Sequence, residues 1–178
     1  GGTVQSEAGV AALADEVRKR TGELHILVNN AGVSWGEPYE NYPWKAWDRV
    51  MAVNVTGLFQ LTRELTPLLL KGAAPQRPST IVNIGSVMGT VTQAENAYAY
   101  SASKAAVHHI TRILSAELAA RQVTVNAIAP GFIDTEMTKG LGEKDRERIV
   151  ARSALRRLAE PQDVAAMAAY LMSEAGRN

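Results

Sequence analysis

Two patterns of apolar and polar residues alternate along the chain and predict strands separated by helices. Short apolar runs predict strands at 24–28, 80–84 and 123–128. Apolar residues at helical spacing predict helices at 7–20, 44–70, 98–121, 143–153 and 161–173, with the second helix in two pieces joined near 54–57. Short apolar strands between long helices favour βαβ units and a parallel sheet that is buried on both faces.

Each predicted strand ends in a polar or Gly/Pro-containing loop. These loops begin Asn29-Asn30-Ala31-Gly32, Gly85-Ser86 and Pro130-Gly131. Ligands of α/β folds gather at the carboxyl ends of parallel strands. The sequence therefore predicts a site where the three loops meet, whereas the Gly- and Pro-containing segment 71–79 is expected to be an exposed loop.

The composition narrows the class of protein without changing this architecture. The 178 residues match one domain by length. With no Cys and 3 His, the chain has no disulfide framework or thiolate metal site, and we expect no metal centre. A net charge of +1 does not indicate nucleic-acid binding. The apolar runs stop well short of the roughly 18 residues of a membrane span, and the start of the chain does not resemble a secretory signal, so we expect a cytoplasmic protein without membrane or nucleic-acid partners.

A phenol and an ammonium stand four residues apart in Tyr100-Ser101-Ala102-Ser103-Lys104. On a helix this spacing places Tyr100 and Lys104 on one face, about 6 Å apart at Cβ. A nearby cation lowers the pKa of a phenol by about 1–3 units from its usual value near 10. Tyr100 could then exchange a proton with a substrate oxygen near neutral pH, although such a pair also arises by chance.

Three further features favour catalysis over coincidence. Ser86 follows the second strand, where its hydroxyl could bind a substrate carbonyl. The small residues within 29–32 would let a flat ligand approach the backbone. Asn54 has apolar neighbours, and burial of its amide without hydrogen-bond partners would cost about 1–3 kcal/mol, so we expect this amide to be bonded.

Together these segments resemble the short-chain dehydrogenase/reductase family. The matching motifs, in the family's order, are Asn29-Asn30-Ala31-Gly32, Asn54, Ile84-Gly85-Ser86, Tyr100-Ser101-Ala102-Ser103-Lys104 and Pro130-Gly131-Phe132-Ile133-Asp134-Thr135. They span nearly the whole chain, and the ordered set is far more specific than any one motif. The resemblance implies an α/β fold with a Rossmann-type doubly wound parallel sheet.

The resemblance also implies roles for individual residues. Tyr100 would be the general acid/base, and Lys104 would lower its pKa and hold the nicotinamide ribose hydroxyls. Ser86 would orient the substrate carbonyl, and Asn54 would anchor a water in a proton relay to Lys104. The implied cofactor-binding residues are Asn30, Ala31, Gly32, Tyr100, Lys104, Pro130, Gly131, Ile133 and Thr135.

The implied activity is hydride transfer between a nicotinamide cofactor and a carbonyl or secondary alcohol. Segments 31–36 and 71–79 look most like those of bacterial 3-oxoacyl reductases, including the type associated with rhamnolipid synthesis, so the substrate could be a 3-oxoacyl thioester. The cofactor would be NADP or NAD, with NADP preferred on the resemblance alone. The family also implies a homodimer or homotetramer formed through 44–70 and 98–121.

The family's Gly-rich phosphate loop, Thr-Gly-x-x-x-Gly-x-Gly, does not occur in this sequence, and neither does its closing Val-Asp-Gly-Gly segment. We therefore expect 1–178 to be a single, incomplete dinucleotide-binding domain without the N-terminal βαβ unit and the last strand. One hypothesis is that the chain is most of an oxidoreductase. The alternative is a catalytically inactive family fragment with a structural or interaction role, and the intact catalytic set favours the first.

Several other side chains have ordinary explanations. Trp35, Trp44 and Trp47 could line a substrate mouth, but the spacing of Trp44 and Trp47 is more typical of packing. His108 and His109 are adjacent on a helix and point in different directions. The charged stretch 143–148 is typical of a solvated helix face, and the resemblance suggests that 135–157 forms a lid.

Overall fold

Three parallel strands form a single sheet in the computed structural model, which describes residues 3–92, 96–135, 138 and 142–176. The strands are β1 (Ile26–Asn29), β2 (Ser79–Ile84) and β3 (Val123–Ile128), in the order β1-β2-β3. Ile26 pairs with Thr80 and Ser79 with Val123, which sets the register. The predicted strands are confirmed, with the first shifted by one or two residues.

Helices connect and flank these strands as the periodicity predicts. They are α1 (Glu7–Arg20), α2 (Trp44–Met51), α3 (Leu58–Gly72), α4 (Tyr98–Leu118), α5 (Glu143–Arg152) and α6 (Pro161–Met172). The Ser6 side chain accepts a hydrogen bond from the Gly9 amide and so caps α1. A π-helical turn, Ala52–Gly57, joins α2 to α3 where the sequence indicated a junction.

Helices α1, α3 and α4 build the main core on one face of the sheet. One cluster joins α1 to α3 through Val10, Ala14, Leu61, Leu65 and Leu68. A second cluster joins α3, α4 and the sheet through Leu69, Ile81, Leu118, Val123 and Val125. Alternate side chains of a strand point to opposite faces, so these residues define the face that the three helices cover.

The other face of the sheet is covered unevenly. Thr80 and Val82 are fully buried there, and α6 contacts β2 and β3. On β1, Ile26 and Val28 remain 38% and 39% exposed. The sheet is therefore buried on both faces at β2, as a doubly wound fold requires, and partly open at β1.

Segment 71–79 differs slightly from its prediction. Helix α3 continues to Gly72, and a short antiparallel bridge between Ala74 and Arg77 closes the turn that follows. Among the described residues, no helix combines the length and apolar character needed to cross a membrane. In the same part of the chain, no cluster of three or more His, Asp or Glu side chains could hold a metal ion.

Candidate active site

A cleft of about 700 Å³ opens at the carboxyl ends of β1, β2 and β3, where the loops that follow the strands meet. The predicted site residues that line it are Asn30, Gly32, Ser86, Tyr100, Lys104, Pro130, Gly131, Ile133 and Thr135. Two predicted residues, Ala31 and Asn54, lie outside the lining, and Asn54 is buried behind the wall. The volume is in the usual range for small-molecule sites, roughly 300–1,000 Å³.

Tyr100 and Ser86 bring a phenol and an alcohol together in this cleft. Tyr100 lies in the first turn of α4, and Ser86 caps the short 3₁₀ turn Val87–Gly89 by accepting a hydrogen bond from the Met88 amide at 3.2 Å. Burial raises the pKa of the Tyr100 phenol, and the nearby Ser86 hydroxyl opposes that rise. The net direction keeps the phenol protonated at neutral pH.

Lys104 lies one helical turn after Tyr100 and is only 5% exposed. Its Nζ donates a hydrogen bond to the Ile84 carbonyl oxygen at 2.7 Å and lies 5.4 Å from the centre of the Tyr100 ring. Burial lowers the pKa of Lys104 from 10.5 to about 8. The resemblance implies that Lys104 lowers the Tyr100 pKa; in the protein alone, burial raises that pKa instead.

Asn54 occupies the π-helical turn and ties three parts of the site together. Its Oδ1 accepts a hydrogen bond from the Val33 amide at 2.9 Å, and its Nδ2 donates to the Val33 carbonyl at 2.9 Å and to Ser103 Oγ at 3.0 Å. The amide is bonded, as expected for a buried polar group. π-Helical turns occur frequently at functional sites, and this one aims Asn54 at the loop after β1 and at α4.

Beneath the cleft runs a chain of buried polar side chains that sequence reasoning missed. Asn29 Nδ2 donates to Thr62 Oγ1 at 2.9 Å and to Asn83 Oδ1 at 2.8 Å. Asn83 Nδ2 in turn donates to Thr111 Oγ1 at 2.9 Å. This chain links α3, β1, β2 and α4 directly below the loops that carry the site. Its partners are distant in sequence, so only the strand register brings them together.

The loop after β3 is held by its own hydrogen bonds and by an ion pair. The Thr138 hydroxyl donates to the Ile133 carbonyl oxygen at 2.7 Å, and Asp134 forms an ion pair with Arg146 of α5 at 2.9 Å. Ile133 also forms a short parallel bridge with Ala159. Part of the predicted lid, 136–137 and 139–141, lies outside the described residues.

Other residues of the lining were not predicted as site residues, although Ile84, Gly85 and Phe132 lie within the family motifs. The additional lining residues are Ser34, Gly36, Ile84, Gly85, Val87, Met88, Ala97, Phe132, Thr138, Pro161 and Val164. Trp35 lines the cleft, as one of the two alternatives for the tryptophans expected, and Trp47 packs against Tyr42, as the other expected. Trp44 is 81% exposed, so the expectation that it packs is wrong. The periodic pattern gives no signal for these residues, since their place in the wall depends on how the loops, the end of β2 and the start of α6 meet in the fold.

The donor set of the cleft fits the nicotinamide–ribose half of a dinucleotide. An ammonium group donates up to three hydrogen bonds. Lys104 donates one to the Ile84 carbonyl, so its other N–H groups could bind the vicinal hydroxyls of a ribose. Gly32 lies next to this ammonium, since a Cβ at that position would be in van der Waals contact with Lys104 Nζ at 3.6 Å. Pro130 and Gly131 add small, uncharged surface that suits a flat ring.

Comparison with known proteins assigns the fold and the family. A family model described as enoyl-(acyl carrier protein) reductase matches residues 2–178. The rhamnolipid-biosynthesis 3-oxoacyl-acyl-carrier-protein reductase of Pseudomonas aeruginosa is 42% identical over 176 residues, which cover 97% of this chain and 68% of that protein. The chain belongs to the short-chain dehydrogenase/reductase family. The Vibrio cholerae 3-oxoacyl-acyl-carrier-protein reductase FabG is 38% identical over 94% of this chain and 65% of its own length.

Solved structures of the short-chain dehydrogenase/reductase fold superimpose closely on this chain. The Pseudomonas aeruginosa RhlG/NADP active-site complex matches with a TM-score of 0.94 and 40% identity, over 99% of this chain and 70% of that chain. A 3-ketoacyl-acyl-carrier-protein reductase from Brucella melitensis complexed with NADH matches with a TM-score of 0.88 and 29% identity, over 99% of this chain and 71% of that chain. The Rossmann-type prediction is confirmed, and the chain spans about two thirds of the length of the curated relatives it matches.

Proposed function

We propose that this chain carries the catalytic residues of an NAD(P)-dependent reductase that converts a carbonyl to a secondary alcohol. The observation that carries the proposal is the placement of a protonated phenol, Tyr100, beside the Ser86 hydroxyl in the cleft, with the buried Lys104 cation one turn away. Membership of an oxidoreductase family supports the same reaction.

In the proposed mechanism Ser86 orients the carbonyl and Tyr100 supplies the proton. The Ser86 hydroxyl donates a hydrogen bond to the substrate oxygen and holds it near the phenol. Tyr100 then donates its proton to that oxygen as the alcohol forms. The charge left on the phenolate is stabilised by the Lys104 ammonium, whose pKa of about 8 keeps it mostly protonated at neutral pH. When bound, the reduced nicotinamide supplies the hydride.

The cofactor would be NADP or NAD, held through its nicotinamide half. Lys104 would bind the ribose hydroxyls, and the loop from Pro130 to Thr135 would contact the nicotinamide ring. Asn30, Ala31 and Gly32 would follow the cofactor along the loop after β1. Asn54 would anchor the water of a proton relay to Lys104. The preference for NADP rests on similarity to the RhlG/NADP complex.

A 3-oxoacyl thioester is the substrate class that we propose. The first support is the 42% identity to a 3-oxoacyl reductase of rhamnolipid biosynthesis. The second is the wall of the cleft, where Trp35, Met88, Phe132 and Val164 form apolar surface against which an acyl chain could lie. We further propose that residues 1–178 are one domain of a cytoplasmic homodimer or homotetramer.

Replacement of the Tyr100 phenol with Phe tests the proposed function. In an assay that follows NADPH or NADH oxidation with a 3-oxoacyl thioester, Tyr100→Phe should lower kcat by about 100-fold or more, because the proton donor is lost. Tyr98→Phe is the matched control, since Tyr98 lies two residues earlier and packs edge-on against Tyr39 and Tyr42. That variant keeps the ring and should retain most activity.

The same assay decides against the proposal if Tyr100→Phe turns over like the unmodified protein. Absence of turnover in the unmodified protein with both cofactors and a panel of ketones and 3-oxoacyl thioesters would instead favour an inactive member of the family.

A further inference from the structure

A side chain that the mechanism does not use holds the backbone of Ser86. His108 lies on α4 one turn beyond Lys104, and its Nε2 accepts a hydrogen bond from the Ser86 amide at 3.3 Å. Only a neutral imidazole that carries its proton on Nδ1 can accept at Nε2. The contact therefore fixes one tautomer of His108 as well as the position of the Ser86 amide.

The amides on either side of Ser86 donate to backbone carbonyls, whereas the Ser86 amide donates to the His108 side chain. The Gly85 amide donates to the Ile128 carbonyl at 2.7 Å, and the Val87 amide donates to the Pro130 carbonyl at 2.9 Å. Main-chain carbonyls of the β3 side thus satisfy the amides before and after Ser86. Between them, the imidazole supplies the acceptor for Ser86, and buried amides are almost always paired.

Two glycines make the space in which the His108 ring lies. A Cβ added to Gly85 would collide with His108 Nε2. One added to Gly89 would lie 2.7 Å from the backbone of Lys104 and 2.9 Å from His108 Cε1. Real Cβ atoms do not approach so closely, so the imidazole excludes a larger residue at Gly85, and the ring and the α4 backbone together exclude one at Gly89. The turn after β2 and the face of α4 are built to receive this ring.

We propose that His108 is a positioning residue for the reaction, which holds the Ser86 backbone so that the Ser86 hydroxyl faces the substrate carbonyl. This inference rests on the proposed function. Helix α4 is hydrogen-bonded to the end of β2 at two points, from Lys104 to the Ile84 carbonyl and from the Ser86 amide to His108. Because Tyr100 lies on the same helix as Lys104 and His108, these two hydrogen bonds fix the separation between Ser86 and Tyr100.

Protonation of His108 would break this contact, since an imidazolium has no acceptor. The pKa of His108 is lowered by burial and then by the nearby cations Arg112 and Lys104, both on α4. The elements packed against this part of α4, the turn Val87–Gly89 and the adjoining ends of β2 and β3, carry no charged side chain. The hydrogen bond between the Ser86 amide and His108 should therefore form at neutral pH and break only in acid.

Substitutions at His108 test the proposal in the intact protein with a 3-oxoacyl thioester. His108→Leu removes the acceptor and should lower kcat about tenfold, with KM for the cofactor nearly unchanged. His108→Gln keeps an acceptor near the Nε2 position and should restore kcat to within about twofold of the unmodified protein. It should also remove the acid limb that His108 gives to the pH profile below 6.5. His109→Leu, on the exposed neighbour, is the matched control.

The proposal is overturned if His108→Leu retains full kcat, if His108→Gln is as slow as His108→Leu, or if His109→Leu is equally impaired. Hydrogen exchange of the Ser86 amide provides a readout that needs no turnover. It should accelerate about tenfold or more in His108→Leu and stay unchanged in His109→Leu. Unchanged exchange of the Ser86 amide in His108→Leu would refute the contact itself. If the unmodified protein protects the Ser86 amide through His108 but has no reductase activity, only the proposed reaction is refuted.

Discussion

The ammonium of Lys104 is a buried charge that, within the described part of the chain, has one hydrogen bond, to the Ile84 carbonyl. Burial lowers its pKa from 10.5 to about 8, which corresponds to roughly 3 kcal/mol of destabilisation of the charged form. The chain therefore carries this cation at a cost in stability. Such a cost is typical of residues that are placed for binding or catalysis rather than for folding.

Lys104→Met should consequently stabilise the protein at pH 7. Removal of the buried charge gains about 3 kcal/mol and loss of the bond to Ile84 costs about 1 kcal/mol, so the free energy of unfolding should rise by about 2 kcal/mol. The folded pKa lies below the unfolded one, so the unfolded chain binds more protons between pH 8 and 10.5, and the native protein gains stability as the pH rises through that window.

The stability difference between Lys104→Met and the unmodified protein should then shrink between pH 8 and 10.5. Urea unfolding at pH 7 and at pH 10 measures it, with Lys71→Met at an exposed position as the control. A difference that is constant with pH, or that grows toward alkaline pH, would mean that burial does not control the Lys104 pKa.

At the scale of secondary-structure elements, the polar chain from Asn29 to Thr111 connects two helices to two strands. Asn83→Leu keeps a similar volume but leaves one Asn29 N–H without its acceptor, whereas the Thr111 hydroxyl keeps its hydrogen bond to the Val107 carbonyl. An unsatisfied buried donor costs about 1–3 kcal/mol, so the free energy of unfolding should fall by about 2 kcal/mol. Urea unfolding with the same linear extrapolation measures this loss.

Asn126→Leu provides the matched comparison for Asn83→Leu, because Asn126 is also a strand asparagine but is half-buried on the other face of the sheet. It should change the free energy of unfolding by less than about 1 kcal/mol. Equal losses in the two variants would show that the polar chain from Asn29 to Thr111 contributes no more to the free energy of unfolding than an ordinary strand asparagine does.

The predictable part of the fold is the part with local periodicity. The strands at 80–84 and 123–128 and the long helix from Tyr98 follow from apolar runs and spacing alone, so their positions agree closely with the structure. The Tyr100/Lys104 pair was predictable for the same reason, because its geometry is set within one helical turn. The ordered motifs then indicated which loop residues would meet it.

The contacts that cross between elements were not predictable in this way. His108 faces Ser86 only because β2 and α4 pack in one register, and Asn29 reaches Asn83 only because β1 pairs with β2. The bonded state of Asn54 was expected from the cost of burial, but its partners Val33 and Ser103 depend on the π-helical turn. Sequence patterns carry no direct signal of such long-range partners.

For the whole molecule, the groove between α3 and α4 offers a surface for self-association. Its apolar lining includes Phe59, Pro67, Leu70, Leu114 and Leu118, and it encloses about 420 Å³. Phe59 in this lining is 39% exposed, and Ile113, which precedes Leu114 on α4, is 54% exposed. Exposed apolar surface of this kind often marks a protein–protein contact, and it lies on the two helical segments through which the family resemblance implies assembly.

Replacement of this apolar surface by charge should therefore separate the subunits. We expect the unmodified protein to be a dimer or tetramer by light scattering at micromolar concentration, and Phe59→Asp combined with Ile113→Asp to be a monomer, because two carboxylates from each subunit would be desolvated in the same interface. Leu155→Asp, which charges a 75% exposed leucine away from the groove, should leave the assembly unchanged. A monomeric unmodified protein, or an oligomer that persists in the double variant, would contradict assembly through α3 and α4.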